Sequence, residues 1–182
     1  MSHDIPQNFI EHTIDFIDYF DPKIDELNDV LTTNKIFIER SADVGILPAE
    51  VGINFGVSGS SLRGSGVNWD LRKNEPYSIY DQLDFNVPVG EGEMGTVGDC
   101  WDRYYVRVLE MRESIKIIRQ VCKGLPDGDV HEALPKKIRP KEGKVYGRYE
   151  SARGDVGFYI ISNGKNIPLR VKMRSPAFCN LS

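Results

Sequence analysis

LRGSGVNWDLRKNEPYSIYDQLDFNVPVGEGEMGTVGDCWDRYYVRVLEMRESIKIIRQVC, residues 62–122, decides the fold, because it ends in the longest helical pattern of the chain. Tyr104, Val108, Met111, Ile115, Ile118 and Cys122 recur at spacings of 4, 3, 4, 3 and 4, which is one apolar stripe on a helix. Asp99 is placed to cap the start, and Asp102 adds a carboxylate near the positive end of the helix dipole. Gly124 and Pro126 stop it. Each aliphatic side chain fully buried on such a stripe contributes about 1.5–3 kcal/mol, so the helix is expected in the core.

Immediately upstream, Gly90, Gly92 and Gly95 spell G-x-G-x-x-G. A pyrophosphate there would face Glu91 and Glu93, and the helix begins too late for its N-terminus to hold phosphates, so a dinucleotide site is not expected. Residues 67–89 read as an extended arm in which Trp69, Tyr77, Tyr80, Phe85 and Val87 alternate irregularly with Asp70, Arg72, Asp81 and Asp84. An arm of that length needs a surface to lie on, and part of that surface is expected on another chain. Before it, GVSGSSLRGSG (56–66) marks backbone that bends sharply or approaches another group closely. It is no Walker A loop, since Ser65 stands where the lysine belongs. Arg63 is its one long charged side chain, suited to bracing the loop through a salt bridge, or to an anion or an interface pair.

Further upstream, Ile10, Ile14, Ile17, Ile24, Leu27 and Leu31 form a second helical stripe, interrupted by Asp21-Pro22. A kink, or two helices with Asp21 capping the second, is expected there. Glu11, Asp15, Asp18, Asp25 and Asp29 read as a solvated face, with His12 a surface histidine among them. A short apolar segment follows at residues 36–38, and Pro48 begins a short helix, AEVGINF, closed by Gly56. Downstream, residues 125–144 are polar and proline-dotted, a linker with His131 exposed. The period then changes to two. Strands are expected over 145–152, 156–162 and 167–173, the last two joined at Asn163-Gly164 as a hairpin. On the last strand Ile167, Leu169, Val171 and Met173 form a core face, while Arg170, Lys172 and Arg174 form a basic face, read either as a solvated outer face that discourages edge-to-edge aggregation or as a docking stripe for an acidic neighbour.

The pattern is that of one partial α+β domain. Residues 1–61 are helical, 62–98 a glycine loop and arm, 99–123 the long helix, and 145–175 a small antiparallel β segment. A net charge of −4 over 182 residues argues against a nucleic-acid partner. No run of about 18 apolar residues occurs, and MSHDIPQNF carries no basic region followed by an apolar one, so neither a spanning helix nor a signal peptide is expected. Cys100 and Cys122 would lie about 33 Å apart on one helix and cannot bridge, and with Cys179 they form no metal or iron–sulfur motif.

The residues carry a resemblance as well. LRGSGVNWDLRKNEPYSIYDQLDFNVPVG followed by GDCWDRYYVRVLEMRESIKIIRQ resembles the D subunit of respiratory complex I, the hydrogenase-like subunit beside the quinone site. IDELNDVLTTNKIFIERSADVGILPAE upstream and ESARGDVGFYIISNGKNIPLRVKMRSPAF downstream extend the likeness across nearly the whole chain, and the GSG-x-x-WDLRK run is specific to the family. The resemblance implies a hydrogenase large-subunit-like fold in the peripheral arm of an NADH–quinone oxidoreductase, on the cytoplasmic side of a bacterial plasma membrane. The partners it implies are the terminal-cluster subunit, the C subunit and the membrane arm. NADH, quinone and iron–sulfur clusters belong to the parent complex, and this chain is expected to hold none of them. The family's quinone-contacting histidine and tyrosine lie upstream of the match to Met1, a further segment follows the match to Ser182, and the 125–144 linker looks shorter than in many relatives. The chain is therefore expected to be the second half of the subunit, a redox-inert scaffold when alone, with no catalytic, cofactor-binding or metal residue carried over. Interface candidates are Arg63, Trp69, Arg72, Arg170, Lys172 and Arg174. A large subunit of a membrane-bound hydrogenase, or of a related donor-dehydrogenase complex, is the alternative, although none of the three cysteines matches the two pairs that hold nickel and iron in hydrogenases. A stand-alone interaction domain is a third reading.

Overall fold

A computed structural model of the chain describes residues 4–126, 128, 135 and 137–181, and His131 and most of the expected linker lie outside them. The order is α1 (Phe9–Leu27), a π-helical turn (Asn28–Thr32), α2 (Lys35–Ser41), α3 (Ala49–Asn54), α4 (Ser60–Gly64), α5 (Leu71–Asn74), a 3-10 turn (Tyr80–Gln82), α6 (Cys100–Lys123), β1 (Gly143–Ser151), β2 (Gly154–Ser162), β3 (Arg170–Arg174) and α7 (Pro176–Asn180). The three strands form one antiparallel sheet in the order β1-β2-β3, so the chain is α+β as expected.

The α1–α6 pair makes the core. Ile17 and Ile24 of α1 meet Val108 and Ile115 of α6, flanked by Phe20, Leu27, Tyr104, Tyr105 and Met111. The outer ends of both stripes stay wet, since Ile10 and Ile118 remain exposed. Asp99 caps α6 as expected, its Oδ1 accepting the Asp102 amide at 2.8 Å, while Oδ2 accepts the Asp43 amide at 2.9 Å. Pro22 neither breaks α1 nor leaves Asp21 as a cap, because one helix runs through both. Proline inside a helix costs about 3 kcal/mol. Two fully buried isoleucines on one face of the uninterrupted helix offset that. Two of the acids read as a solvated face reach α6: Asp18 pairs with Arg119 at 2.6 Å, and Asp25 pairs with Arg112.

The G-x-G-x-x-G run serves the chain's own carboxylates. Gly90 passes so close to α4 that a Cβ there would lie 2.0 Å from the Gly64 carbonyl oxygen. Its amide donates to the Arg63 carbonyl at 2.8 Å. The amides of Gly92 and Gly98 donate to the buried Asp102 carboxylate at 3.1 and 3.2 Å. Burial raises the pKa of Asp102, and these two amides only partly offset it.

Part of the surface under the arm is supplied by this chain itself. Gln120 of α6 brackets Asp84 with two hydrogen bonds, Glu113 accepts the Asn86 amide at 2.8 Å, and the Tyr77 hydroxyl bonds both backbone groups of Glu150. Phe85 is buried under Arg72 and Lys73, whose charged groups sit 5.0 and 4.0 Å from its ring centre. It also has short helical stretches, α5 and the 3-10 turn, that its irregular apolar pattern concealed.

Two expectations for the sheet are corrected. The tight connection is Ala152-Arg153 between β1 and β2, where Ser151 pairs with Gly154, whereas β2 and β3 are joined by residues 163–169 and Asn163-Gly164 only begins that loop. The apolar face of β3 is not core: Leu169 is 68%, Val171 50% and Met173 63% exposed. Register puts Val171 and Met173 on one face with Phe158 and Ile160 of β2 and Val145 and Tyr149 of β1, and no element covers that face among the described residues.

Candidate functional site

The opposite face of the sheet meets the helices, and there the chain assembles its densest group of charges. Arg63 leaves α4 and is almost wholly buried. Its Nε donates to Glu110 Oε1 of α6 at 2.6 Å, and its Nη1 donates to Glu150 Oε1 of β1 at 3.0 Å and to the Trp69 carbonyl at 3.1 Å. Asp70 Oδ2 stands 3.5 Å from the same Nη1. Asp70 is fully buried, caps α5, and is gripped by Arg72 through Nε at 2.9 Å and Nη2 at 2.6 Å. The second oxygen of Glu150 accepts the Leu71 amide at 3.4 Å. A cavity of about 370 Å³ opens onto this cluster, with Arg107 and Tyr80 also on its wall.

Burial acts against every charge here, and the partners decide the outcome. Burial lowers the pKa of Arg63, but Glu110 and then Glu150 outweigh it and hold the guanidinium above its ordinary range. Burial raises Asp70, but Arg72 and then Arg63 overcome it and hold the carboxyl below the usual carboxylate range. Glu150 goes the other way: burial raises it, Arg63 only partly compensates, and Asp70 adds repulsion. Two guanidinium groups thus face three carboxylates, and Glu150 carries the mismatch.

The six interface candidates divide. Arg63 and Arg72 are committed to this cluster. Trp69 is half-buried, with Arg148 6.0 Å from its ring. Arg174 is tied down: it donates to the carbonyls of Gly56, at 2.7 Å, and of Asp155, and pairs with the Asp155 carboxylate at 3.4 Å. Of the six, only Arg170 and Lys172 are exposed, so among the described residues β3 presents two basic side chains to solvent rather than a stripe of three. Glu110 and Glu150 complete the cluster and were not singled out from sequence. Glu110 lies off the apolar stripe of α6, and Glu150 is one acid in a mostly exposed strand, so neither carries a local signal.

The three thiols are free, two of them 22 residues apart on α6, and among the described residues no group of three or more His, Cys, Asp or Glu could hold a metal ion. No helix is long and apolar enough to cross a membrane among those residues.

Fold and cluster together define an α+β protein in which two guanidinium groups and three carboxylates from separate elements meet in the interior. The profile of the family described as "Respiratory-chain NADH dehydrogenase, 49 Kd subunit" matches residues 1–142 and 132–182. The chain belongs to that family. It is 52% identical over 186 aligned positions to the NADH-quinone oxidoreductase D subunit of Chlorobium phaeovibrioides and to the protein of the same name from Chlorobaculum tepidum, each match covering 100% of this chain and 46% of the relative. The like-named protein of Prosthecochloris aestuarii is 50% identical, with the same coverage. The chain therefore spans a little under half the length of these relatives.

Proposed function

We propose that the chain serves as part of the D subunit of a proton-pumping NADH–quinone oxidoreductase, as a scaffold in the peripheral arm beside the quinone site rather than as a redox centre. The observation that carries this is the family match along the whole chain. The scaffold role is supported by chemistry: Arg63, Asp70, Arg72, Glu110 and Glu150 are engaged with one another, and the thiols and histidines make no ligand set among the described residues. Electrons would then pass through iron–sulfur clusters and quinone held by other parts of the complex. The terminal-cluster subunit, the C subunit and the membrane arm are the neighbours this reading assigns, on the cytoplasmic side of the bacterial plasma membrane.

The test is co-purification. A tagged chain expressed in its host should migrate with an NADH–quinone oxidoreductase on native gels of detergent-solubilised membranes. The purified chain alone should neither oxidise NADH nor reduce quinone, and should contain no stoichiometric iron, nickel or flavin. Migration only as a free protein would remove the assembly reading, and NADH-dependent quinone reduction by the isolated chain would remove the scaffold reading.

A further inference from the structure

The β-sheet joins the helices mainly near its Ser151–Gly154 turn, and Glu150 stands at the centre of that joint. Gly59 (φ +69°) and Gly154 (φ +118°) press backbone on backbone there, since a Cβ on Gly59 would lie 2.6 Å from the Gly154 Cα. The Asp155 amide donates to Ser58 Oγ at 3.1 Å. Arg148 reaches from β1 to Glu75, which is 54% exposed on its side chain. Glu150 crosses with both carboxylate oxygens and both backbone groups. Its Oε1 accepts from Arg63 at 3.0 Å and its Oε2 from the Leu71 amide at 3.4 Å. Its amide donates to the Tyr77 hydroxyl at 3.1 Å, and that hydroxyl donates to its carbonyl at 3.3 Å. Its side chain is 3% exposed.

Of the five charges in the Arg63 cluster, only Glu150 belongs to the sheet. Arg63 of α4, Asp70 and Arg72 of α5 and Glu110 of α6 stay with the helices, where two guanidinium groups already face two carboxylates. Docking the sheet adds a third carboxylate to that balanced group and strips the water from it, which disfavours its charged form. Arg107 of α6 and Tyr80 of the arm face the same cavity, and Arg107 spends its Nη groups on Ser61 Oγ and the Arg103 carbonyl. On the sheet side Arg148 and Asp155 pair with each other at 3.3 Å and travel with Glu150. Burial accordingly raises the pKa of Glu150, with Arg63 offsetting it only in part.

We propose that Glu150 is a proton-linked latch: the sheet docks on the helices with a proton bound at Glu150, and undocks more readily once that proton has left for solvent. Opening the joint returns Glu150 to water, where it ionises in the ordinary glutamate range. Between that range and the raised docked value, each opening releases one proton, so opening becomes about tenfold easier per pH unit and levels off above the docked value. Asp70 keeps Arg72 and Arg63 when the joint opens, so it sets up no opposing trend. The inference concerns contacts within this chain and is independent of the assembly reading.

The test is amide hydrogen exchange of the full chain, followed residue by residue by NMR and corrected for the intrinsic rate at each pH. The amides of Leu71, Glu150 and Asp155 donate across the joint and report its opening. Their protection should fall several-fold as pH rises from about 5 to about 7, while the amides of Val108 and Ile115 in the α1–α6 seam hold theirs. Glu150→Gln, which is neutral at every pH, should abolish the fall. The Glu150 Cδ resonance, assigned in the unaltered chain, should titrate above the ordinary glutamate range, and it decides alone if the variant does not fold. Four results would each overturn the latch: protection that ignores pH, a fall shared by Val108 and Ile115, a fall that survives Glu150→Gln, or a Glu150 midpoint inside the ordinary glutamate range.

Discussion

Around Arg63, two guanidinium groups and three carboxylates share an interior, and one negative charge is left over. Removing a partner from such a cluster leaves buried charges unpaired, which costs about 3–5 kcal/mol. Arg63→Gln is therefore expected to lower the unfolding free energy by that amount in urea titrations at pH 7, and a loss under about 1 kcal/mol would contradict the geometry. The pH dependence separates the carboxylates. Asp70 has a depressed folded pKa, so its contribution is present above the unfolded value and is lost as pH falls through the folded one. Glu150 has a raised folded pKa, so its contribution is present below the unfolded value and is lost as pH rises through the folded one. Asp70→Asn should flatten the acid limb of a stability–pH curve. Glu150→Gln should flatten the decline that begins as pH rises above the ordinary glutamate range. Identical curves for the two variants would show that the charge mismatch does not rest on Glu150.

At the scale of elements, α6 is the support on which α1, α4 and the arm are laid. Ile115 sits in its seam with α1, and Ile115→Asp places an unpaired carboxyl there. A loss of about 4 kcal/mol or more is expected, which for a chain of this size is roughly 8–16 °C in thermal midpoint by circular dichroism. The close approach of Gly90 to Gly64 gives a second test, because Gly90→Ala forces backbone apart whereas Gly147→Ala meets open space. The first should cost about 1–3 kcal/mol, as overpacking does, and the second should be close to neutral. Equal effects would mean that the close approach does not govern how the loop packs on α4. On β3, Arg174→Gln should cost about 1.5–3 kcal/mol through its lost hydrogen bonds, while Arg170→Gln and Lys172→Gln should leave the midpoint in place. A midpoint unmoved by Arg174→Gln would return that side chain to the free basic stripe.

The whole molecule is lopsided. Its helices enclose a core, while the sheet meets them mainly near the Ser151–Gly154 end and leaves one apolar face open. Exposed apolar surface of this kind promotes association. The triple variant Val145→Thr, Val171→Thr, Met173→Gln should change stability by no more than about 0.5 kcal/mol per site. It should also reduce concentration-dependent self-association in sedimentation velocity. A collapse in thermal midpoint would show that this face is packed in solution.

What the sequence alone determined was whatever depends on neighbours in the chain. The α6 stripe, the Asp99 cap, the stop at Gly124, the short helix after Pro48 and the change to a two-residue period were all legible, because a helix or strand repeats its environment every few residues. The unsuitability of G-x-G-x-x-G for a nucleotide was legible from its acidic neighbours, but not that Gly90 abuts Gly64 and that Gly92 and Gly98 turn their amides toward Asp102. Arg63 stood out as the lone cation in a glycine-rich loop, yet its partners Glu110 and Glu150 lie 47 and 87 residues away, a pairing no local pattern encodes. The sheet shows the same division most sharply. Alternation correctly sorted β3 into an apolar and a basic face, but alternation states only that two faces differ. Which of them is buried depends on what the fold places against each, and here the helices met the face carrying Arg148, Glu150, Asp155 and Arg174 and left Val171 and Met173 in solvent.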